Sequence, residues 1–285
     1  GIYTLPAETR RSMAVFAALR RSPGAVVRNP VLLVPILAVV LIQLPTVLLQ
    51  SVNPILASVA SLVVSLLFVA VVPFLQAGLV AMADEALDGP TSLATFVDSG
   101  KQHYVPVLVA YLAILAVNAG IGMIGVVLAL VGGAAILGAG ATGSSLPVAA
   151  AVVVLVGLVL LGYLAVIFLV QFYGQAIVLE DLGAVDGLKR SVAVVRGNLA
   201  GSLGYAVVAG VLGGIVGAGI GVGSALSSAG RAPSGAGAAP PAGGMLPEVS
   251  LPVVVAIGVG AVTLLTLVSG VLTVFSVAFY REITA

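Results

Sequence analysis

The residues able to do chemistry are few, and they crowd into a handful of places. The densest is 175–199, QAIVLEDLGAVDGLKRSVAVVRGNL, where Glu180, Asp181 and Asp186 are followed by Lys189, Arg190 and Arg196. It gathers charge in a chain that has little, so it is the first candidate for an active centre. The chemistry then fails part by part. A metal held by carboxylates on facing helices would need a second pair of aspartates at helical spacing, and none follows. Asp186 reads instead as a helix N-cap with Arg190 four residues on as its ion-pair partner, a contact worth roughly a few tenths of a kcal/mol when exposed.

His103 is the only histidine and cysteine is absent, which excludes disulfides, thiolate metal sites and thiol nucleophiles. A lone histidine could shuttle protons. Beside Lys101 and Tyr104 it reads better as a residue at lipid-headgroup level. Gly138-Ala-Gly-Ala-Thr-Gly143 matches the letters of a dinucleotide fingerprint. That motif needs a preceding strand, a helix N-terminus and an acid about twenty residues later. Here it joins two apolar runs and is expected to be a turn. No Gly-x-Ser-x-Gly elbow is present. The expectation is a non-enzymatic protein with no catalytic residue, cofactor or metal.

The elements that carry these residues are apolar. Of 285 residues, 61% are hydrophobic and 7% charged, too few to surface a soluble fold of this size, so lipid must be the main solvent. A net charge of +1 with the two signs interleaved leaves no unopposed basic face for nucleic acid. No cleavable signal sequence is expected at the N-terminus.

Residues 1–30 form a cytoplasmic N-terminal amphipathic segment in which Arg10, Arg11, Arg20, Arg21 and Arg28 alternate with apolar residues, with Pro23 and Gly24 expected to interrupt it. Residues 31–285 form a six-helix transmembrane domain with spans near 31–50, 55–83, 104–137, 148–179, 199–228 and 249–280. Gln50 to Pro54 is an uncharged turn, and Gly132 and Gly133 are expected to break the third run. Thr91 or Ser92 is a candidate N-cap for a short helix presenting Leu93, Phe96, Val97 and Tyr104 on one face. Residues 229–248 form a flexible extracytoplasmic loop rich in Gly, Ala and Pro. The fold class is all-α: a polytopic membrane bundle with short interfacial helices.

Ten of the eleven Lys and Arg residues fall on one side of this plan, and only Arg231 lies opposite. The positive-inside rule puts both termini in the cytoplasm, and a multi-pass plasma-membrane protein is expected. Sliding by 95 positions superposes Leu93 on Leu188, Val97 on Val192 and Lys101 on Arg196, with Arg28-Asn29 a degraded third copy. Three hairpin repeats, each opened by a surface helix, are therefore expected.

Glu180, Gly183, Leu188, Ser191, Arg196, Gly197 and Asn198 carry a resemblance. The stretch around them is similar to the signature segment of six-helix membrane domains, including the one that accompanies glycerophosphoryl diester phosphodiesterases and related uncharacterised archaeal and bacterial families. The resemblance implies a six-helix membrane fold over the whole chain. No phosphodiesterase catalytic domain is present, so it implies no catalytic residue.

Glu180, Asp181, Asp186, Arg190, Arg196 and Asn198 are then a structural hinge between two crossings. In the fifth run Gly210, Gly213, Gly214, Gly217 and Gly221 stand three and four apart and line one face with small residues, read as close packing within the bundle, with a dimer interface or a mobile helix at a substrate path as the other reading. Gln171 and Gln175 are expected to hydrogen-bond between helices. No Asp, Glu, Lys or Arg falls near a span centre, which weighs against an ion-coupled carrier. The expected role is a scaffold or accessory subunit of a membrane complex, with the five N-terminal arginines on lipid headgroups. Its partners would be membrane lipids, with another membrane protein or a second copy as further candidates. The alternative is a transporter or lipid-handling protein for a small or lipid-like substrate.

Overall fold

A computed structural model describes residues 7–52, 54–139, 146–229 and 251–285, with side chains over 14–42, 55–134, 150–214, 217, 256 and 258–285. Among the described residues ten α-helices follow one another: α1 (Ala7–Arg28), α2 (Leu33–Val52), α3 (Pro54–Asp88), α4 (Leu93–Gln102), α5 (Tyr104–Ala139), α6 (Leu146–Val170), α7 (Tyr173–Leu179), α8 (Ala184–Gly197), α9 (Leu199–Ala229) and α10 (Leu251–Thr284). No strand occurs among the described residues. The chain is an all-α polytopic bundle.

Four stretches are long and apolar enough to cross a membrane: Ile55–Asp88, Tyr104–Ala134, Ala150–Leu179 and Gly258–Thr284. Two more crossings are reached only as bent pairs, with turns of 93° between α1 and α2 and 103° between α8 and α9. These two bends lay α1 and α8 across the ends of the spans they precede. Such helices keep a water-facing and a protein-facing side, which is why they are amphipathic while the spans are apolar all round.

Several expected breaks are absent. Pro23 sits inside an unbroken α1; it is exposed, so the carbonyl it leaves without a partner can be solvated. Gly132 and Gly133 lie inside an unbroken α5, because lipid offers a freed backbone group no other partner. The real corner after α1 is Asn29-Pro30, followed by one 3-10 turn, Pro30–Leu32. The Asn29 side-chain amide donates to the carbonyls of Ala25 (3.2 Å), Ala86 (3.4 Å) and Gly89 (3.2 Å), and its Oδ1 accepts from the Thr91 amide at 3.0 Å. One buried side chain thus ties the α1–α2 corner to the α3–α4 loop. The fourth run is also not one helix, since it breaks at Gln171-Phe172.

Packing is uneven along the bundle. No residue of the most apolar eighteen-residue stretch of α5 or α6 is buried, whereas 44% of that of α10 is. The core gathers at the charged end around the last turns of α10. Phe275, Phe279 and Tyr280 pack there with Phe172 and with Ala14, Val15 and Ala18 of α1. Tyr205 of α9 stacks on Phe279 with ring centroids 5.1 Å apart. α3 and α4 close on each other reciprocally. The Phe96 ring lies on Gly78 and the Phe74 ring on Gly100, where a Cβ would collide with either ring.

Candidate functional site

Among the described residues polar side chains converge at the charged end, and the turn between α7 and α8 organises it. Glu180 is the C-cap of α7, and Asp181 takes a left-handed backbone with φ of 52°, a conformation that Asp tolerates better than most residues. The Leu182 amide then reaches back to the Ile177 carbonyl at 3.1 Å and closes the turn. Gly187 lies against the Ile177 side chain so closely that no Cβ would fit. Hence α8 folds back onto α7. This brings Arg190 to Glu180, where Nε donates to both carboxylate oxygens at 3.0 and 2.8 Å, while the Tyr280 hydroxyl donates to Oε1 at 2.6 Å. Burial pushes the Glu180 carboxyl up, but the hydrogen bonds from Arg190 and Tyr280 and the Arg190 charge outweigh it and hold the group below the usual carboxylate range.

Beneath this lies the α6–α7 break. The Phe172 amide donates to Ser191 Oγ at 3.1 Å, and that hydroxyl donates to the Leu169 carbonyl at 3.0 Å. A fully buried serine of α8 therefore plugs the gap in a crossing helix and supplies both a donor and an acceptor. One turn further, Gln175 Nε2 donates to Ser276 Oγ at 3.0 Å, as expected of an interhelical residue. Gln171 does not follow: its Nε2 is buried without a partner among the described residues, as is Gln175 Oε1.

On the other flank an open cleft of about 660 Å³ is lined by Asp84, Glu85, Asp88, Thr95, Ser99 and His103, among others. His103 is buried by protein. As the C-cap of α4 it turns inward, with Nε2 3.2 Å from Asp181 Oδ1 and Nδ1 3.2 Å from Ser99 Oγ. The carboxylates of the cleft are already engaged. Arg281 reaches Asp84 at 3.5 Å and Asp88 at 2.8 Å, and Glu85 Oε2 accepts from Thr91 (2.7 Å) and Thr95 (2.6 Å). Among the described residues no three of His, Asp and Glu converge as a metal site. What the arrangement can do chemically is hold helix ends together.

Residues 13–283 match the family described as a domain of unknown function, DUF7847. The chain belongs to that family. No curated protein and no solved structure matches it.

Within this DUF7847 chain the expected site residues divide. Glu180 and Arg190 meet at the hinge, whereas Asp181 faces His103, Arg196 is exposed, and Asn198, the C-cap at the far end of α8, donates to the Val194 carbonyl (3.3 Å) and lies 3.5 Å from that of Ile283. Asp186 is not the cap and does not meet Arg190. Gly183 holds the cap position without a side-chain bond, and Asp186 in the first turn faces Lys189 at 3.8 Å. The reason is rotation: Glu180 has already taken Arg190 to the inner side of α8. Ser92 is the N-cap of α4, accepting from the Thr95 amide, but on its apolar face only Phe96 is buried, with Leu93 and Val97 exposed.

Arg20 and Arg28 are exposed on α1, while Arg21 pairs with Glu282 at 3.0 Å. Arg10 and Arg11 lie on α1, and their side chains fall outside the described residues, as does the turn at 140–145 and the loop at 230–248. The glycine face is a correction. A Cβ at Gly210, Gly213, Gly214 or Gly217 would meet nothing within 4 Å, so these glycines pack against no other part of the described chain; Gly221 lies outside the described side chains. Small residues permit close approach, but α9 points this face outward. Asn29, Ser99, Ser191 and Tyr280 were not singled out from sequence for these contacts. An Asn-Pro pair at the corner and small residues at 187 and 191 on the buried face of α8 were the available signals.

Proposed function

We propose that the protein is a non-enzymatic scaffold or accessory subunit of a membrane complex, with both termini in the cytoplasm and its surface helices resting on lipid headgroups. One observation carries this reading. Internal partners consume nearly all the acids of the charged end, Asp98 excepted. Arg20, Arg28, Lys101 and Arg196 are left exposed with no carboxylate partner among the described residues. These cations sit on α1, α4 and α8. Each contributes roughly 1 kcal/mol of attraction near an anionic membrane surface. The unburied α5 and α6 supply lateral surface for a partner within the bilayer.

The test replaces Arg20, Lys101 and Arg196 together by Gln and extracts the protein from native membranes in mild detergent. Anionic lipid should be lost while helix content holds, and a stoichiometric protein partner should accompany the wild type. Unchanged lipid retention refutes the headgroup contact. The absence of any partner refutes the subunit role.

The α6–α7 break favours a second reading, a transporter or lipid-handling protein. Interrupted crossing helices with unpaired polar groups, as at Gln171 and Gln175, are where secondary transporters hold substrate. Reconstituted vesicles with neither solute flux nor lipid scrambling would remove it. The likeness of 175–199 to the membrane domains that accompany glycerophosphoryl diester phosphodiesterases belongs with this proposal as kinship of fold, and it brings no activity.

A further inference from the structure

The outer face of the bundle has a slot of about 320 Å³ between α2 and α3. Val34, Ala38 and Ile42 line one wall, Leu67 and Val71 the other, and Leu93, at the start of α4, closes a third side. From Val34 to Ile42 the wall runs about 12 Å at 1.5 Å per residue. Every lining side chain is apolar, so water would find no partner there. A helix of that length, about 10 Å across, occupies on the order of 900 Å³. It cannot sink into the slot, but a single hydrocarbon chain can.

The charged mouth decides what bears that chain. Asn29 pins the α1–α2 corner to Gly89 and Thr91, two to four residues before Leu93, so the corner that carries Arg28, six residues before Val34, is tied to the start of α4. Arg28 is exposed; its Nε donates to the Gly24 carbonyl at 3.2 Å, and its other guanidinium nitrogens have no partner among the described residues. Glu85 is engaged at the start of α4, where it accepts from Thr91 and Thr95, so Arg28 is the cation left to meet an anion there. A free guanidinium is matched by a phosphate.

We propose that this slot is a phospholipid site, with one acyl chain between α2 and α3 and the phosphate on Arg28. It rests on the membrane bundle alone, not on the scaffold reading. A chain without any protein partner would still hold the lipid, and a scaffold could lack it.

The full-length protein is washed in mild detergent and its bound lipid counted by mass spectrometry. About one phospholipid per chain should remain. Ala38→Phe and Val71→Phe, which fill the slot from opposite walls, should abolish retention. Arg28→Gln should weaken it about fivefold, the equivalent of roughly 1 kcal/mol, and Lys189→Gln, on the exposed face of α8 beside Asp186, should leave it unchanged. Wild-type protein reconstituted with a phospholipid carrying a photoreactive acyl chain gives a readout independent of any variant's folding, with adducts expected on 34–42 and 67–75. Retention unaffected by both Phe variants, adducts spread evenly over the spans, or diacylglycerol held as well as phospholipid would each overturn the proposal.

Discussion

Ser191→Ala tests whether the α6–α7 break is held by its plug. The hydroxyl accepts from the Phe172 amide at 3.1 Å and donates to the Leu169 carbonyl at 3.0 Å, and both Ser191 and Phe172 are fully buried. Removing one oxygen strands a buried N–H, at about 1–3 kcal/mol, and forfeits a second hydrogen bond worth about 1 kcal/mol. The void is smaller than a methyl group and adds little. The expected loss is therefore about 2–4 kcal/mol, seen as a drop of roughly 5–10 °C in thermal unfolding followed by circular dichroism in detergent. Gln175→Leu is the companion. Its Oε1 is already unpartnered among the described residues, so only the bond to Ser276 is lost and the cost should be smaller. A Ser191→Ala protein melting within 1 °C of wild type would refute the reasoning, because water would then have reached a site argued to be dry.

Gly78→Ala forces a Cβ into the Phe96 ring and carbonyl and should cost about 1–3 kcal/mol. Gly210→Ala and Gly214→Ala enter open space and should stabilise α9 by about 0.5–1 kcal/mol each; a loss at either would mean that a partner approaches that face. Because the folded Glu180 carboxyl titrates below its ordinary 4.5, its contribution is complete above that pH and drains as pH falls through the lower folded value. Unfolding midpoints between about pH 5 and about pH 3 should therefore fall more steeply for wild type than for Glu180→Gln, and parallel slopes would count against the Arg190–Tyr280 clasp. The chain has no cysteine, so single substitutions report sidedness cleanly. Lys101→Cys and Arg196→Cys should react with an impermeant maleimide only after permeabilisation, and Ser234→Cys in intact cells. The reverse pattern would invert the topology.

What the sequence made legible follows from which solvent each helix meets. α1, α4 and α8 touch water on one side, so their apolar periodicity survives, and the existence of all three, a cap for α4 at Thr91 or Ser92 and the gathering of charge at one end could be read directly. The crossing helices α3, α5 and α6 are apolar on every face because lipid does not distinguish one face from another. Periodicity therefore said nothing about which faces meet protein, and the Gly210–Gly214 spacing was taken for a packed seam when it opens outward.

The breaks were misplaced for a different reason. A proline or glycine pair is a local signal, and within a bilayer a helix yields only where another residue can take up the freed backbone groups. Gly132 has no such residue and α5 runs on, whereas Pro23 is exposed on the surface helix α1, where water can take up the carbonyl it frees. Phe172 does have one, Ser191, nineteen residues away on a helix that exists only because Gly187 lets it lie on Ile177. His103 is the same case: its burial depends on Asp181, seventy-eight residues on, adopting a left-handed turn. The hinge at 175–199 is thus a set of long-range substitutes for missing helical bonds. If that is its role, a change there should alter stability and assembly before it alters any chemistry.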